Sequence, residues 1–175
     1  MGIHLKQNKN GVVHTEFSIQ KILVRHFMSG AKYMVPNMYC TLGEMDMFLL
    51  RQSGYAEEFE IKCSTSDLRA DFKKRRKHQW LANCNLTGSP FSPKMLLPNR
   101  FSYVLGPAVK TLKFVFPEYA GLYVVRPYVV MGVLRRYQLI CLTAPKLIHK
   151  QKCNWHERVA TSCCHRLLKA YKLRY

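Results

Sequence analysis

Two carboxylates and a lysine lie in two neighbouring segments of the chain: Asp46 in the first, Glu60 and Lys62 in the second. In an extended segment side chains alternate, so Glu60 and Lys62 share a face, about 7 Å apart along the strand. If the segments pair, Asp46 approaches Glu60, and these carboxylates with the Ile61 carbonyl provide the oxygen ligands that Mg²⁺ prefers. Lys62 would orient or help deprotonate a water, or stabilise charge on a phosphate. Hydrolysis of a phosphodiester bond needs such a metal ion, an oriented water and a cation that stabilises the developing charge.

A β-hairpin is the element that must position these groups. Residues 44–51 alternate, with Met45, Met47 and Leu49 on one face and Asp46 on the other. A Gln52-Ser53-Gly54 turn separates them from residues 55–63, which read as the second strand. The sequence therefore predicts that the two acids face one another across paired strands.

The preceding segment predicts a helix and then an irregular strand. Thr15 can cap a helix that runs to about Met28, with Gly30 as a left-handed cap at its end. Residues 32–39 form a candidate strand, and Pro36 favours a position at the edge of the sheet.

A basic helix is predicted after the second strand. Residues 64–67 resemble a helix cap, and a single helix is expected from Leu68 to about Ala82. We interpret Asp67 as part of the cap and Asp71 as a first-turn acid or a partner of Arg75. Like charges repel one another in so dense a cationic run, which makes a helix face that contacts only water unfavourable. We therefore predict that this run contacts nucleic acid. The residues assigned to them are Lys73, Lys74, Arg75, Arg76, Lys77, His78 and Gln79.

The charge of the chain indicates a polyanionic partner. The 175 residues contain 28 lysines and arginines against 10 acids, a formal net charge of +18. Such an excess favours DNA or RNA, or less often an anionic membrane surface. The acids concentrate between residues 44 and 71. Acids beside a cationic run are favourable if a metal ion lies between their carboxylates and a phosphate. The alternative explanation is that these acids form the solvated edge of a hairpin.

The remaining segments complete one domain. Residues 1–13 are expected to form a flexible arm, 14–130 a core, and 131–175 a basic extension containing a helix over 154–172. Strands are predicted at 101–105 and 122–130, while 132–142 could be strand or helix. No apolar run reaches the roughly 18 residues that a membrane span requires, and the chain shows no secretory signal.

These residues resemble a nuclease family. Asp46 followed by Glu60-x-Lys62 is similar to the PD-(D/E)xK nuclease superfamily, although Met45 stands where that pattern has proline. The extension through residues 60–78 resembles the MmcB-like, phage DNA-repair type, as do Phe101–Leu105 and Pro117–Leu122 after it. The resemblance covers roughly residues 15–126.

The resemblance implies an α/β fold of the restriction-endonuclease-like kind, a mixed central sheet flanked by helices. It implies a DNA endonuclease dependent on Mg²⁺ or Mn²⁺, acting in repair, recombination or phage DNA processing. Asp46, Glu60 and Lys62 would be the catalytic residues, and Asp46, Glu60 and Ile61 would hold the metal. Glu16 matches a helix glutamate that many members add to the metal site, although stabilisation of the helix dipole explains it equally well.

The resemblance also guides our expectations about partners and location. We expect DNA as the partner, no membrane, a homodimer by analogy, and a bacterial or phage-infected cytoplasm. A basic nucleic-acid-binding or architectural protein without catalysis is the alternative, and an RNA-directed nuclease is a third hypothesis.

Overall fold

A computed structural model describes residues 7–8, 11–12, 14–40, 43–83, 97–111, 114–153 and 155–170. Its elements, in chain order, are β1 (Gln7–Asn8), β2 (Gly11–Val12), α1 (Glu16–Phe27), β3 (Ala31–Cys40), β4 (Gly43–Arg51), β5 (Ala56–Lys62), α2 (Thr65–Asp71), α3 (Arg75–Asn83), β6 (Arg100–Leu105), β7 (Ala120–Val130), β8 (Val133–Thr143) and α4 (His156–Ala170).

A six-stranded sheet forms the centre of the described structure, in the order β3-β4-β5-β6-β7-β8. The β5, β6 and β7 strands run parallel, and the other neighbours are antiparallel. Helices pack against this sheet, so the predicted α/β class with a mixed central sheet is confirmed. The edge position of β3 is also confirmed.

The hairpin that carries the candidate residues is present as predicted. The β4 and β5 strands pair from Leu50 opposite Ala56 to Met47 opposite Phe59. Beyond Met47 the ladder ends, just where Asp46 lies. The parallel partner β6 ends beside Lys62, at Leu105. The end of the sheet where β5 and β6 finish, which we term the carboxyl edge, therefore contains the candidate site.

The first helix begins as expected but ends differently. Thr15 caps α1 by accepting a hydrogen bond from the Ser18 amide. A short 3₁₀ turn, Met28–Gly30, follows the helix. Gly30 is absent from the residues with positive φ, so the left-handed glycine cap is wrong.

The basic segment forms two helices instead of one. Ser64 caps α2 by accepting from the Asp67 amide, and the chain breaks at Phe72–Lys74 before α3. A continuous helix would place a run of like charges at neighbouring helical positions, which is destabilising. The break is accompanied by ion pairs of Lys74 and Lys77 with buried acids, which relieve that repulsion.

Opposite faces of the sheet have different cores. On one face α1 packs against Met47, Phe59 and Ile61. On the other face, near β3 and β4, Trp155 stacks on Phe48 at 4.9 Å, and both are buried with Val159 of α4 among the same apolar residues. Trp155 is therefore a core residue.

The segment left open between strand and helix is the strand β8. It pairs with β7 from Leu122 opposite Thr143 to Val130 opposite Val133. The predicted boundary at residue 130 therefore falls at the turn of a hairpin, and the β8 strand belongs to the central sheet. Residues 84–96, most of the predicted arm over 1–13 and Asn154, where the final helix is expected to begin, lie outside the described residues.

Candidate active site

Asp46 closes the end of the β4–β5 ladder with its side chain. Its Oδ2 accepts a hydrogen bond of 2.6 Å from the Ile61 amide. This contact places the carboxylate beside the main chain that joins Glu60 to Lys62. The main chain of Asp46 is held as well, because its carbonyl accepts from Gln20 Nε2 at 2.9 Å.

Glu60 and Lys62 share one face of β5, as the alternation predicts. Lys62 Nζ donates to Glu60 Oε1 at 2.8 Å, and both side chains are buried. The two predicted catalytic groups on this strand are therefore in direct contact. The third, Asp46, is joined to them through the Ile61 amide.

Further charged groups surround this pair, and sequence reasoning gave them other roles or none. Lys77 Nζ lies 2.7 Å from Glu60 Oε2 and 2.5 Å from Glu58 Oε1. Lys74 Nζ lies 3.1 Å from Glu60 Oε1. Both oxygens of Glu60 thus contact ammonium groups. The period-two pattern that joined Glu60 to Lys62 also includes Glu58, and this is the signal that could have revealed it.

Asp71 is the second acid at the centre of the cluster. Its Oδ1 lies 3.2 Å from Lys62 Nζ and 3.0 Å from Lys74 Nζ. Its Oδ2 accepts from the Tyr103 hydroxyl at 2.8 Å and lies 3.3 Å from His78 Nε2. The assignment of Asp71 as a first-turn acid is wrong, because Asp71 is the last residue of α2 and its buried side chain contacts Lys62.

The basic run divides between the cluster and the surface. Lys73, Arg76 and Gln79 are exposed, whereas Lys77 is 9% exposed and paired with acids. Attraction to two buried carboxylates turns Lys77 inward, which disfavours its predicted direct contact with a nucleic acid. Lys74 is paired but keeps about half of its side chain exposed, and His78 bonds Asp71 and Tyr119. The side chain of Arg75 lies outside the described residues.

Glu16 belongs to a neighbouring polar group. Its Oε1 accepts from Gln20 Nε2 and Asn37 Nδ2, each at 2.9 Å. Gln20 in turn holds the Asp46 carbonyl. The structure thus connects Glu16 to Asp46 through one side chain without joining their carboxylates.

The charges shift the pKa values of the two candidate carboxylates in opposite directions. Burial, together with repulsion from Glu60, raises the pKa of Asp46 to about 7. Burial alone would raise the pKa of Glu60, but the ammonium groups of Lys77 and Lys62 outweigh burial and lower it. Asp46 is therefore the carboxylate that lacks a strong cationic partner.

A hard divalent cation suits the donor groups present. Asp46 and Glu60 repel one another, and a cation between them would relieve that repulsion. Among the described residues no group of three or more histidine, cysteine, aspartate or glutamate side chains could hold a metal. A metal here would rest on two carboxylates, with main-chain carbonyl, water or phosphate oxygens completing its shell.

Comparisons with known proteins support the architecture. No protein-family model matches the chain, and no curated protein matches it. A solved structure of a protein of unknown function from Silicibacter pomeroyi is similar, with a TM-score of 0.54 and 15% sequence identity. The match covers 86% of this chain and 87% of that one. This likeness shows the fold alone.

The helices give no sign of a membrane span. Among the described residues, no helix combines the length and the apolar character that crossing a bilayer requires.

Proposed function

We propose that the protein is a metal-dependent endodeoxyribonuclease whose site comprises Asp46, Glu60 and Lys62. The proposal rests mainly on one observation: Asp46 binds the Ile61 amide at 2.6 Å while Lys62 contacts Glu60 at 2.8 Å. All three groups lie at the carboxyl edge. The order of α1, the β3–β4–β5 meander and a strand parallel to β5 also suits the restriction-endonuclease-like fold that the sequence resembles.

Each residue has a distinct role in this proposal. Asp46 and Glu60 would hold Mg²⁺ or Mn²⁺ with the Ile61 carbonyl. The metal would polarise the phosphate and lower the pKa of a water. Lys62 would orient that water or stabilise charge on the phosphate, and Asp71 would hold the Lys62 ammonium in place. Gln20 would fix the main chain of Asp46 and so couple Glu16 to the site.

Metal binding requires Glu60 to exchange ammonium contacts for the cation. Lys74 is the candidate to withdraw, because 54% of its side chain is exposed whereas that of Lys77 is 9% exposed. Once released, the Lys74 ammonium could contact a phosphate beside the metal. The exposed Lys73, Arg76 and Gln79 would extend that contact along the DNA backbone.

Cleavage of plasmid DNA with Mg²⁺ or Mn²⁺, compared with an EDTA control, tests the proposal. Lys62→Ala and Asp46→Asn should each lower cleavage by at least about 100-fold, the scale of losing one electrostatic catalytic group, while DNA affinity is retained. Asp46→Asn keeps an oxygen that can accept from the Ile61 amide, so it changes charge with little effect on the hairpin. Equal cleavage by the wild type and both variants would show that the activity lies elsewhere.

A nucleic-acid-binding protein without catalysis is the second candidate. The contact of both Glu60 oxygens with lysines favours it, because those ammonium groups neutralise the carboxylate without a metal. Calorimetry with Mn²⁺ separates the two candidates. Binding that Asp46→Asn abolishes supports the nuclease, whereas absence of binding together with salt-sensitive DNA affinity supports the second candidate. A homodimer and a cytoplasmic location remain predictions.

A further inference from the structure

The hairpin of β7 and β8 extends well beyond its neighbour in the sheet. β6 pairs with β7 only as far as Leu105 opposite Val124, whereas β7 and β8 remain paired to Val130 opposite Val133. We term residues 125–139 the ribbon. Six residues beyond Val124 correspond to about 20 Å of extended strand.

The ribbon projects from the same end of the sheet as the candidate site. Lys62 is level with Leu105, and Leu105 is level with Val124. The ribbon therefore begins level with the end of β5, the strand that carries Glu60 and Lys62. Two strand spacings, about 10 Å, separate β5 from β7. A polymer with one phosphate at Lys62 would have its neighbouring segment beside the ribbon.

The tip of the ribbon presents apolar side chains to solvent. Met131 and Gly132 form its two-residue turn, with φ values of 48° and 74°. Met131 is 95% exposed, and its exposed apolar neighbours are Tyr128, Val129, Val133 and Leu134. Exposed apolar groups clustered in this way mark interaction sites in soluble proteins.

The charge of the ribbon determines what kind of partner fits it. No acid occurs between Glu118 and Glu157, a stretch that includes the whole ribbon. Arg126 and Arg136 are exposed, and the Arg136 guanidinium lies 5.2 Å from the ring centre of Tyr128. A second ribbon would meet like charge, whereas a polyanion with an apolar interior matches both the arginines and the tip.

A cationic cavity lies beside the base of the ribbon. It has a volume of about 310 Å³ and lies between α1 and β8, lined in part by Arg25, His26, Arg136 and Gln138. Two guanidinium groups at one cavity suit a phosphate, which arginine binds with paired hydrogen bonds.

We propose that the ribbon is a DNA-binding arm that enters a groove of duplex DNA, where Met131 wedges between base pairs. Apolar side chains inserted between base steps unstack them and kink the duplex, and flanking cations hold the phosphates. Arg25 and Arg136 would hold one phosphate at the base of the arm. The proposal rests on the proposed function for the identity of the polymer as DNA, and it adds that the substrate is bent duplex.

Energy transfer between dyes at the two ends of a duplex of about 30 base pairs, shorter than the DNA persistence length, measures the bend. EDTA in the buffer prevents cleavage. Binding of the wild type should increase the energy transfer between the dyes. Met131→Ser should still bind the duplex but show little of that increase. Met28→Ser is the matched control, because Met28 is 65% exposed and lies outside both the ribbon and the residues that line the cavity. It should bend DNA like the wild type.

Salt dependence tests the phosphate contact separately. Arg136→Ala should lower the slope of log affinity against log salt by about 1, the value for one lost phosphate contact. An unchanged slope would overturn that assignment.

Equal bending by the wild type and Met131→Ser would overturn the arm itself. Loss of a dimer in Met131→Ser during sedimentation would then assign Met131 to self-association, and loss of binding to anionic vesicles would assign it to a membrane surface. Bending by the wild type without any metal-dependent cleavage would reject the nuclease and keep the arm. Metal-dependent cleavage together with equal bending by the wild type and Met131→Ser would support the proposed nuclease function and reject the arm.

Discussion

Both faces of β5 are buried, but one is largely apolar and the other is largely charged. Phe59 and Ile61 point to an apolar core beneath α1, whereas Glu58, Glu60 and Lys62 point to the opposite side. There Lys74 and Lys77 pair with the two glutamates, and Lys62 pairs with Glu60. Each of these β5 residues is 3% exposed or less. Buried apolar groups need only close packing, whereas buried charges need partners at defined distances. The charged face is therefore the one that a single substitution should damage most.

Removal of Lys77 should have the largest effect on stability. Lys77→Met leaves Glu58 without its ammonium partner, and loss of one member of a buried ion pair costs about 3–5 kcal/mol. Urea unfolding measures the change. Lys73→Met, an exposed lysine of the same run, should change stability by less than about 0.5 kcal/mol. Similar losses in both variants would contradict the distinction between the two lysines.

Asp71 should make the charged face sensitive to acid. Burial alone would raise the pKa of Asp71, but the contacts with His78, Lys62, Lys74 and Tyr103 outweigh burial and lower it. The ionised group therefore stabilises the fold above its unfolded pKa of about 3.9, and this contribution falls as the pH drops below that value. Thermal melts between about pH 5 and pH 2 should show a smaller acid-induced fall in Tm for Asp71→Asn than for the wild type. Parallel curves for the two proteins would show that other carboxylates control acid unfolding.

The apolar face should give the smallest change. Ile61→Val removes one methylene from the core beneath α1 and should cost about 0.5–1.5 kcal/mol. Because the main chain of Ile61 is unchanged, metal-dependent cleavage should remain within about twofold of the wild-type rate, a change in the barrier below about 0.5 kcal/mol. Denaturation and cleavage assays on one preparation separate the two effects. A large loss of cleavage with little loss of stability would show that the Ile61 side chain also positions the site.

Local patterns in the sequence were sufficient for much of this arrangement. Alternation fixed the shared face of Glu60 and Lys62, and the turn at residues 52–54 fixed the pairing that brings Asp46 to Ile61. Both signals depend only on neighbours along the chain or across one short turn.

The surroundings of those residues depend on contacts distant in sequence. Lys77 resembles its cationic neighbours in composition, and only the position of α3 against β5 reveals that it turns toward Glu58. Asp71 likewise meets the Tyr103 hydroxyl from β6, 32 residues away. The ribbon was hidden for a similar reason, because residues 132–142 fit a strand or a helix until their pairing with β7 is known.

The stack of Trp155 on Phe48 ties the final helix to the strand that carries Asp46. Removing the chain from residue 150 onward would expose Phe48 and Val35 to water, since both are buried in the cluster that Trp155 and Val159 help to form. A shortened protein would therefore tend to aggregate through this apolar surface. Any change in DNA affinity measured on that protein would then reflect a damaged sheet and would say little about the cations of the basic extension. Charge substitutions in the chain of 175 residues are therefore the better test of what the basic extension contributes.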